Sequence, residues 1–222
     1  MNRRHLLKTG IVAAGGILAL SKASAQVNLA CQTALTPVQP EGPFYPVIDQ
    51  LDKDADLVIV QGRPVPAAGE IVLVQGQVTD QFCQPVSGAL VEIWQACESG
   101  RYNHPSDTNT AKLDPNFQYW GKAVTDTKGN YLFRTILPGA YPARADWVRP
   151  PHIHFKISQL GYKELITQMF FAGQELNSQD LIFQDLSKDE QKLVVVDFKN
   201  DSQHPHPIGI FNIQILKLIR KS

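Results

Sequence analysis

From Glu70 onward the chain is cut into short runs rich in Val, Ile and Phe, each closed by Gly, Pro, Asn or Asp, and this rhythm constrains the fold more than any other feature. Seven runs carry it: "EIVLVQGQVTD", "GALVEIWQA", "GNYLFRTI", "HIHFKIS", "KELITQMFFAG", "KLVVVDF" and "IGIFNIQILKL". Runs of this length between turn residues predict a mainly β protein with an antiparallel sandwich or barrel, and a β-sandwich core is expected here. "DTKGN" at 126–130 predicts a turn between two strands. Only "SKDEQK" and "ELNSQDLIF" read as helical. Residues 26–70 have another texture. "TPVQPEGPFYP" and "GRPVPAAG" place prolines where neither a regular helix nor a central strand tolerates them. That stretch is expected to be an extended Pro-rich arm draped over a core at 71–222 with long loops.

Residues 1–25 combine a basic start, an apolar run from Gly10 to Leu20 and an Ala-Ser-Ala ending at Ala25. This is the pattern of an export signal, and Arg3-Arg4 gives it a twin-arginine character. The apolar run is shorter than the ~20 residues that span a bilayer. No membrane association is expected after signal removal, and the protein is expected to be periplasmic or secreted. Residues 26–222 suffice for one domain with a full core. Lys+Arg and Asp+Glu balance at 21 each, so nothing argues for an electrostatic grip on nucleic acid or an anionic membrane. A small-molecule partner is the expectation. Cys31, Cys83 and Cys97 allow at most one intramolecular bridge. Cys83 and Cys97 fall at opposite ends of one hairpin arm, which disfavours their pairing and leaves Cys31 with either thiol open. No Cys-x-x-Cys or Cys/His spacing points to zinc.

The chemistry-bearing residues centre on "RPPHIHF" at 149–155. On a strand, His152 and His154 project from one face, roughly 6.5–7 Å apart at the backbone, where two imidazoles can converge on one metal. A hydrogen-bonded pair of histidines on a sheet face is the commoner use of a bare His-x-His. "HPHP" at 204–207, with its flanking prolines, reads as surface loop, and His104 as a spare ligand or a pocket group. The anionic ligands that two neutral imidazoles would need have no nearby carboxylate to supply them, but two phenols are candidates. Tyr141 stands in "LPGAYPARADW", read as a Pro/Gly-rich loop, and Tyr102 follows "ALVEIWQACESGR" at a strand exit. A packed aromatic with a satisfied hydroxyl is the ordinary role of either one alone. Only a strong Lewis acid makes a phenol of pKa ~10 a resting phenolate, so hard anionic oxygen with imidazole points to ferric iron over zinc or calcium. Ligand geometry by itself also allows copper.

In order and spacing, "VEIWQACESGRY", "LDPNF", "TDTKGNYLFRTILPGAYP", "RPPHIHFKIS" and "LITQMFF" resemble the intradiol ring-cleavage dioxygenases, most closely their protocatechuate branch. The resemblance runs from "EGPFYP" at 41 to "FNIQI" at 215. It implies a ferric ion, Fe(3+), held by Tyr102, Tyr141, His152 and His154 with a solvent hydroxide. It also implies that Arg149 stabilises charge developing on the substrate and that Gln168 holds the plane of its guanidinium. The implied partners are a small aromatic diol, protocatechuate or a related catechol, and O2, and the implied product is a (carboxy-)cis,cis-muconate. The alternative substrates are catechol and hydroxyquinol, whose enzymes carry an N-terminal helical segment that is not found here. A non-catalytic exported β-sandwich binding module is the reading from another class. Two features depart from the family. Ala143 stands where the protocatechuate enzymes have a tryptophan, in a loop that is short. The arm "TPVQPEGPFYP" and the four ligand positions share one chain, so Pro43 and Tyr45 are expected to line the pocket of a homo-oligomer.

Overall fold

Alternation of inward and outward side chains along the Val/Ile/Phe runs builds two sheets whose inner faces meet. The computed structural model describes residues 34–218; the expected export signal and Cys31 lie outside these residues. The strands are β1 (Ile71–Asp80), β2 (Leu90–Trp94), β3 (Trp120–Val124), β4 (Asn130–Ile136), β5 (Tyr141–Arg144), β6 (Trp147–Arg149), β7 (His152–Ser158) and β8 (Leu165–Phe171). A 3-10 turn (Glu175–Gln179) and the helices α1 (Leu181–Gln184) and α2 (Lys188–Val194) follow. The short strands β9 (Val195–Val196), β10 (Phe198–Lys199), β11 (Ile208–Ile210) and β12 (Ile213–Ile215) complete the order. One sheet runs β10-β11-β1-β12 with β4 also on β1, and the other runs β3-β2-β7-β8-β9. Between them Val74 and Phe133 of the first sheet share one apolar cluster with Val91, Ile93, Ile153, Phe155, Ile157 and Met169 of the second. The mainly β sandwich expectation is met.

Among the named strands of the described residues, β1 pairs in parallel with β11 and β12 and β8 with β9, and the other strand pairs are antiparallel. The run "IGIFNIQILKL" is therefore two strands. β11 pairs with Leu73–Gln75 and β12 with Val78–Asp80. Between them Phe211 N donates to Gln75 O at 2.8 Å and Asn212 Oδ1 accepts from Gln77 N at 3.1 Å. The backbones come so close there that a Cβ on Gly76 would run into the Phe211 carbonyl.

Two other stretches differ from the sequence reading. The first residues of "KLVVVDF" finish α2, because Ser187 and Glu190 form a capping box that starts the helix; Val195 and Val196, β-branched, leave it as β9. "GAYPARADW" contributes to a hairpin, β5–β6, and not to a loop. Its Pro142 is tolerated because this two-stranded sheet is all edge.

The arm runs beside β8, with Gln39 N donating to Ile166 O at 2.9 Å. The Gln39 amide donates to Thr167 Oγ1 at 3.0 Å and to Gln168 O at 2.9 Å. Cys83 is disulfide-bonded and Cys97 is a buried free thiol, so these two do not pair with each other. Gly76→Ala should destabilise the protein by about 2–3 kcal/mol through overpacking. Urea unfolding checks this, and an unchanged midpoint would contradict the close approach of Phe211 to β1.

Candidate metal centre

Strand β7 sorts its side chains by parity. Ile153, Phe155 and Ile157 join the core between the sheets, whereas His152 and His154 stand on the outer face. Trp94 of β2 and Gln168 of β8 flank His154 in register. The Trp94 ring lies on the His154 imidazole at 4.8 Å and 10° between planes, which sets the imidazole plane. The outer face would be wet were it not roofed by the arm, by the loop carrying Tyr102 and by the β5–β6 hairpin carrying Tyr141.

The two tyrosines meet because their loops touch through backbone. Gly100, at φ +79°, packs so tightly on the Ala140 carbonyl that no Cβ fits, and Ala140 precedes Tyr141. Tyr102 is then fixed by its own N–H, which donates to Asp107 Oδ2 at 2.7 Å. The phenol rings cross at 86° with centroids 5.4 Å apart. The imidazoles of His152 and His154 lie 4.9 Å apart, and Tyr141 is 5.7 Å from His152 and Tyr102 6.3 Å from His154. Tyr102 Oη sits 3.4 Å from His152 Nε2. All four rings are buried, none exposed by more than 6 %.

Hydrogen bonding leaves one His152 nitrogen for the site. Nδ1 faces the Pro150 carbonyl at 2.7 Å and must donate to it, so Nε2 carries the lone pair. Burial and then the Arg149 charge push both imidazoles well below their usual pKa of about 6.5, so both are neutral. Burial pushes Tyr102 well above the usual phenol value, and the neighbouring Tyr141 adds to the rise. Tyr141 is also raised by burial, against the pull of Arg149. Two neutral imidazoles, of which His152 offers Nε2 to Arg149 Nη1, and two phenols that need a strong positive charge to ionise suit a hard, highly charged cation that would take over that lone pair. His154 Nδ1 is buried without a hydrogen-bond partner, which also leaves this imidazole unaccounted for by protein groups alone. The phenol–imidazole set is the candidate on its own donors; among the described residues, no group of three or more His, Cys, Asp and Glu is placed to hold a metal.

Tyr141 and Arg149 face each other across the hairpin. Arg149 Nη1 points at His152 Nε2 at 3.0 Å, and Nη2 donates to Gln168 Oε1 at 2.8 Å. Gln168 Nε2 donates to Pro40 O at 2.8 Å, so one amide ties the arm to the guanidinium. Burial works against the charge on Arg149, and the hydrogen bond and carboxylate of Asp180 more than offset it, so the guanidinium stays charged.

The arm places its residues differently from expectation. Pro43 is exposed. Tyr45 lies edge-on to Trp94 at 5.0 Å, donates to Glu92 Oε1 at 3.4 Å, and is pushed up to about 12 by burial and Glu92. The residue that reaches the phenols is Phe44, stacked on Tyr102 at 4.6 Å and edge-on to Tyr141 at 6.0 Å. A single-residue offset in "GPFYP" separates the two assignments, and turns in the arm set which ring faces in. His104 lines a cavity of about 150 Å3 beside Tyr102, with Phe44, Trp94 and Trp120. His204 sits on a surface loop, its Nδ1 2.8 Å from Asp201 Oδ2. In the sequence Asp180, ahead of "LIFQ", carries only the signal of a helix cap, and its approach to Arg149 has no local signature.

Residues 40–214 match the family model described as "Dioxygenase". The protocatechuate 3,4-dioxygenase beta chain of Burkholderia cepacia is 38% identical over 174 residues, 75% of this chain and 73% of that one. The catechol 1,2-dioxygenase of Candida albicans is 30% identical over 179 residues, and the match spans 54% of its length. Among solved structures, an intradiol ring-cleavage dioxygenase from Tetranychus urticae superposes with a TM-score of 0.63 at 26% identity, covering 85% of this chain and 98% of that one. The chain belongs to the intradiol ring-cleavage dioxygenase family. It is an enzyme, an oxidoreductase of the class that opens aromatic diols.

Neutral burial of the imidazoles has a pH signature in the metal-free protein. The folded histidines refuse the proton that an unfolded chain takes up near pH ~6.5, so stability is complete above that pH and falls below it. Each contributes up to about 1.4 kcal/mol per pH unit. Replacing His152 and His154 together by Gln should flatten the melting temperature between about pH 7 and 5. An unchanged slope would contradict the neutral, buried state of both rings.

Proposed function

We propose that the enzyme holds a ferric ion through Tyr102, Tyr141, His152 and His154 and uses O2 to cleave protocatechuate, or a closely related catechol, between its two hydroxylated carbons. The observation that carries this reading is the convergence of two phenols, two neutral imidazoles and one guanidinium in a single buried cluster. Likeness to the protocatechuate relative supports the choice of substrate.

Bound ferric iron would supply Lewis acidity and an electron-accepting centre for a chelated catecholate, so no external reductant is required. The chain supplies the rest. Tyr141 would take a proton from a substrate hydroxyl at its Oη, as the phenolate that holding the cation would make of it. Arg149 presents Nη1 to the site as an N–H donor already in position when negative charge builds on the ring carbon. Gln168 keeps that donor aimed and links it to the arm. Phe44 closes over both phenols and excludes water from them. Insertion of both oxygen atoms gives a muconate-type diacid.

Catechol or hydroxyquinol is the second reading of the substrate. Ala143, a small and exposed side chain on β5, supports it. Because one chain carries both arm and ligands, a homo-oligomer is proposed. The basic, apolar and Ala-Ser-Ala pattern of residues 1–25 supports export to the periplasm or beyond. Among the described residues no helix is long and apolar enough to cross a membrane.

An oxygen-uptake screen over protocatechuate, catechol and hydroxyquinol, with product identification, tests the proposal. Protocatechuate should consume one O2 per ring opened and yield the carboxymuconate. A colourless protein, inert towards all three diols after iron loading, would instead support a binding module. Tyr102→Phe and His154→Ala should each lose iron or at least ~10²-fold in kcat, while His204→Ala stays near wild type. Equal damage from all three substitutions would contradict the ligand assignment.

A further inference from the structure

The β5–β6 hairpin carries both Tyr141 and Arg149, yet it pairs with neither larger sheet. A lone two-stranded ribbon is only marginally stable. What fixes its Arg149 end is a carboxylate from beyond β8. Asp180 has no exposed surface and meets Arg149 with both oxygens. Arg149 Nε donates to Oδ2 at 2.9 Å and Nη2 to Oδ1 at 3.2 Å. A paired fork of this kind sets the plane of a guanidinium as well as its position. With Nη2 also given to Gln168, Nη1 is the edge left to face His152 Nε2. Asp180 is held in its turn. Its Oδ1 accepts from Phe183 N at 2.9 Å as the N-cap of α1, and Phe183 packs edge-on against Phe170 at 4.9 Å.

We propose that Asp180 is a positioning residue for ring cleavage: by gripping Nε and Nη2 it aims Nη1 of Arg149 at the phenol–imidazole cluster. Its kinetic consequence rests on the dioxygenase reading above, whereas the grip itself does not. The carboxylate also offsets the guanidinium charge, so the site is offered a directed N–H bond more than a free cation.

Asp180→Asn separates the two roles of this residue. Asn caps a helix as well as Asp does, but it turns an amide NH2 towards the Arg149 fork, so that donor faces donor. The variant should lose about 10²-fold in kcat, as a misplaced catalytic group does, with KM for the diol and the visible tyrosinate-to-iron band unchanged. Asp180→Glu should recover part of the loss. In an Arg149→Ala background Asp180→Asn should change kcat by less than about 2-fold, because the group it positions is gone. Effects that multiply in this cycle, or a wild-type kcat for Asp180→Asn, would overturn the proposal. If Asp180→Asn does not fold, the arginine side-chain 15N spectrum of the metal-free wild-type protein decides. One Nε–H, assigned by its loss in Arg149→Lys, should be strongly protected from solvent exchange, and rapid exchange there would overturn the grip. That spectrum is independent of turnover, so a protein that opens no diol would sink the functional reading and still leave the grip to be judged.

Discussion

Everything at the site depends on the two-residue period of β7. Ile153, Phe155 and Ile157 are drawn into the apolar layer between the sheets, and the same pleat forces His152 and His154 onto the opposite face. A register slip of one residue would bury the imidazoles among hydrocarbons and expose the isoleucines. The core thus enforces the placement of the ligands at no separate cost. What remained to be built was a second, smaller roof over an outer sheet face. The arm, the Tyr102 loop and the β5–β6 hairpin supply it, packed around Trp94, Trp120 and Phe44.

That roof creates an electrostatic problem that the cluster solves internally. Two imidazoles are held neutral by burial and by the nearby guanidinium, and two phenols are held protonated by burial. The single fixed cation, Arg149, is matched by the fully buried Asp180. Losing one partner of such a pair strands the other charge in a low dielectric, which costs about 3–5 kcal/mol. A trivalent cation entering the cluster would reverse the state of the phenols, and two phenolates would offset two of its three charges. The cluster is thus balanced in charge, and a bound cation would ionise its phenols.

Legibility in the sequence followed the range of the signal. The sandwich was readable because strand alternation and turn residues are local, and "HIHF" showed its two imidazoles on one face for the same reason. The partnership of Tyr102 with Tyr141 was readable only through resemblance, since it depends on Gly100 meeting the Ala140 carbonyl, a contact between distant loops. The prolines of "AYPARADW" disguised an edge hairpin as a loop. Pro43 and Tyr45 are the arm residues expected at the pocket, and it is Phe44 that meets the phenols, because the turn geometry of the arm decides which residue faces in. Asp180 was invisible because its local role, capping α1, hides its distant one. "KLVVVDF" reads as a single strand because the capping box that starts α2 lies outside the apolar run.

In the proposed centre, four side chains, two phenols and two imidazoles, would jointly hold one ferric ion. Crystals of the iron-loaded protein, measured on both sides of the iron absorption edge, test it most directly. A single anomalous peak is expected within bonding distance of Tyr102 Oη, Tyr141 Oη, His152 Nε2 and an imidazole nitrogen of His154. A peak at the His204/His206 loop, or one that contacts the histidines while both phenols stay hydrogen-bonded to protein, would contradict it.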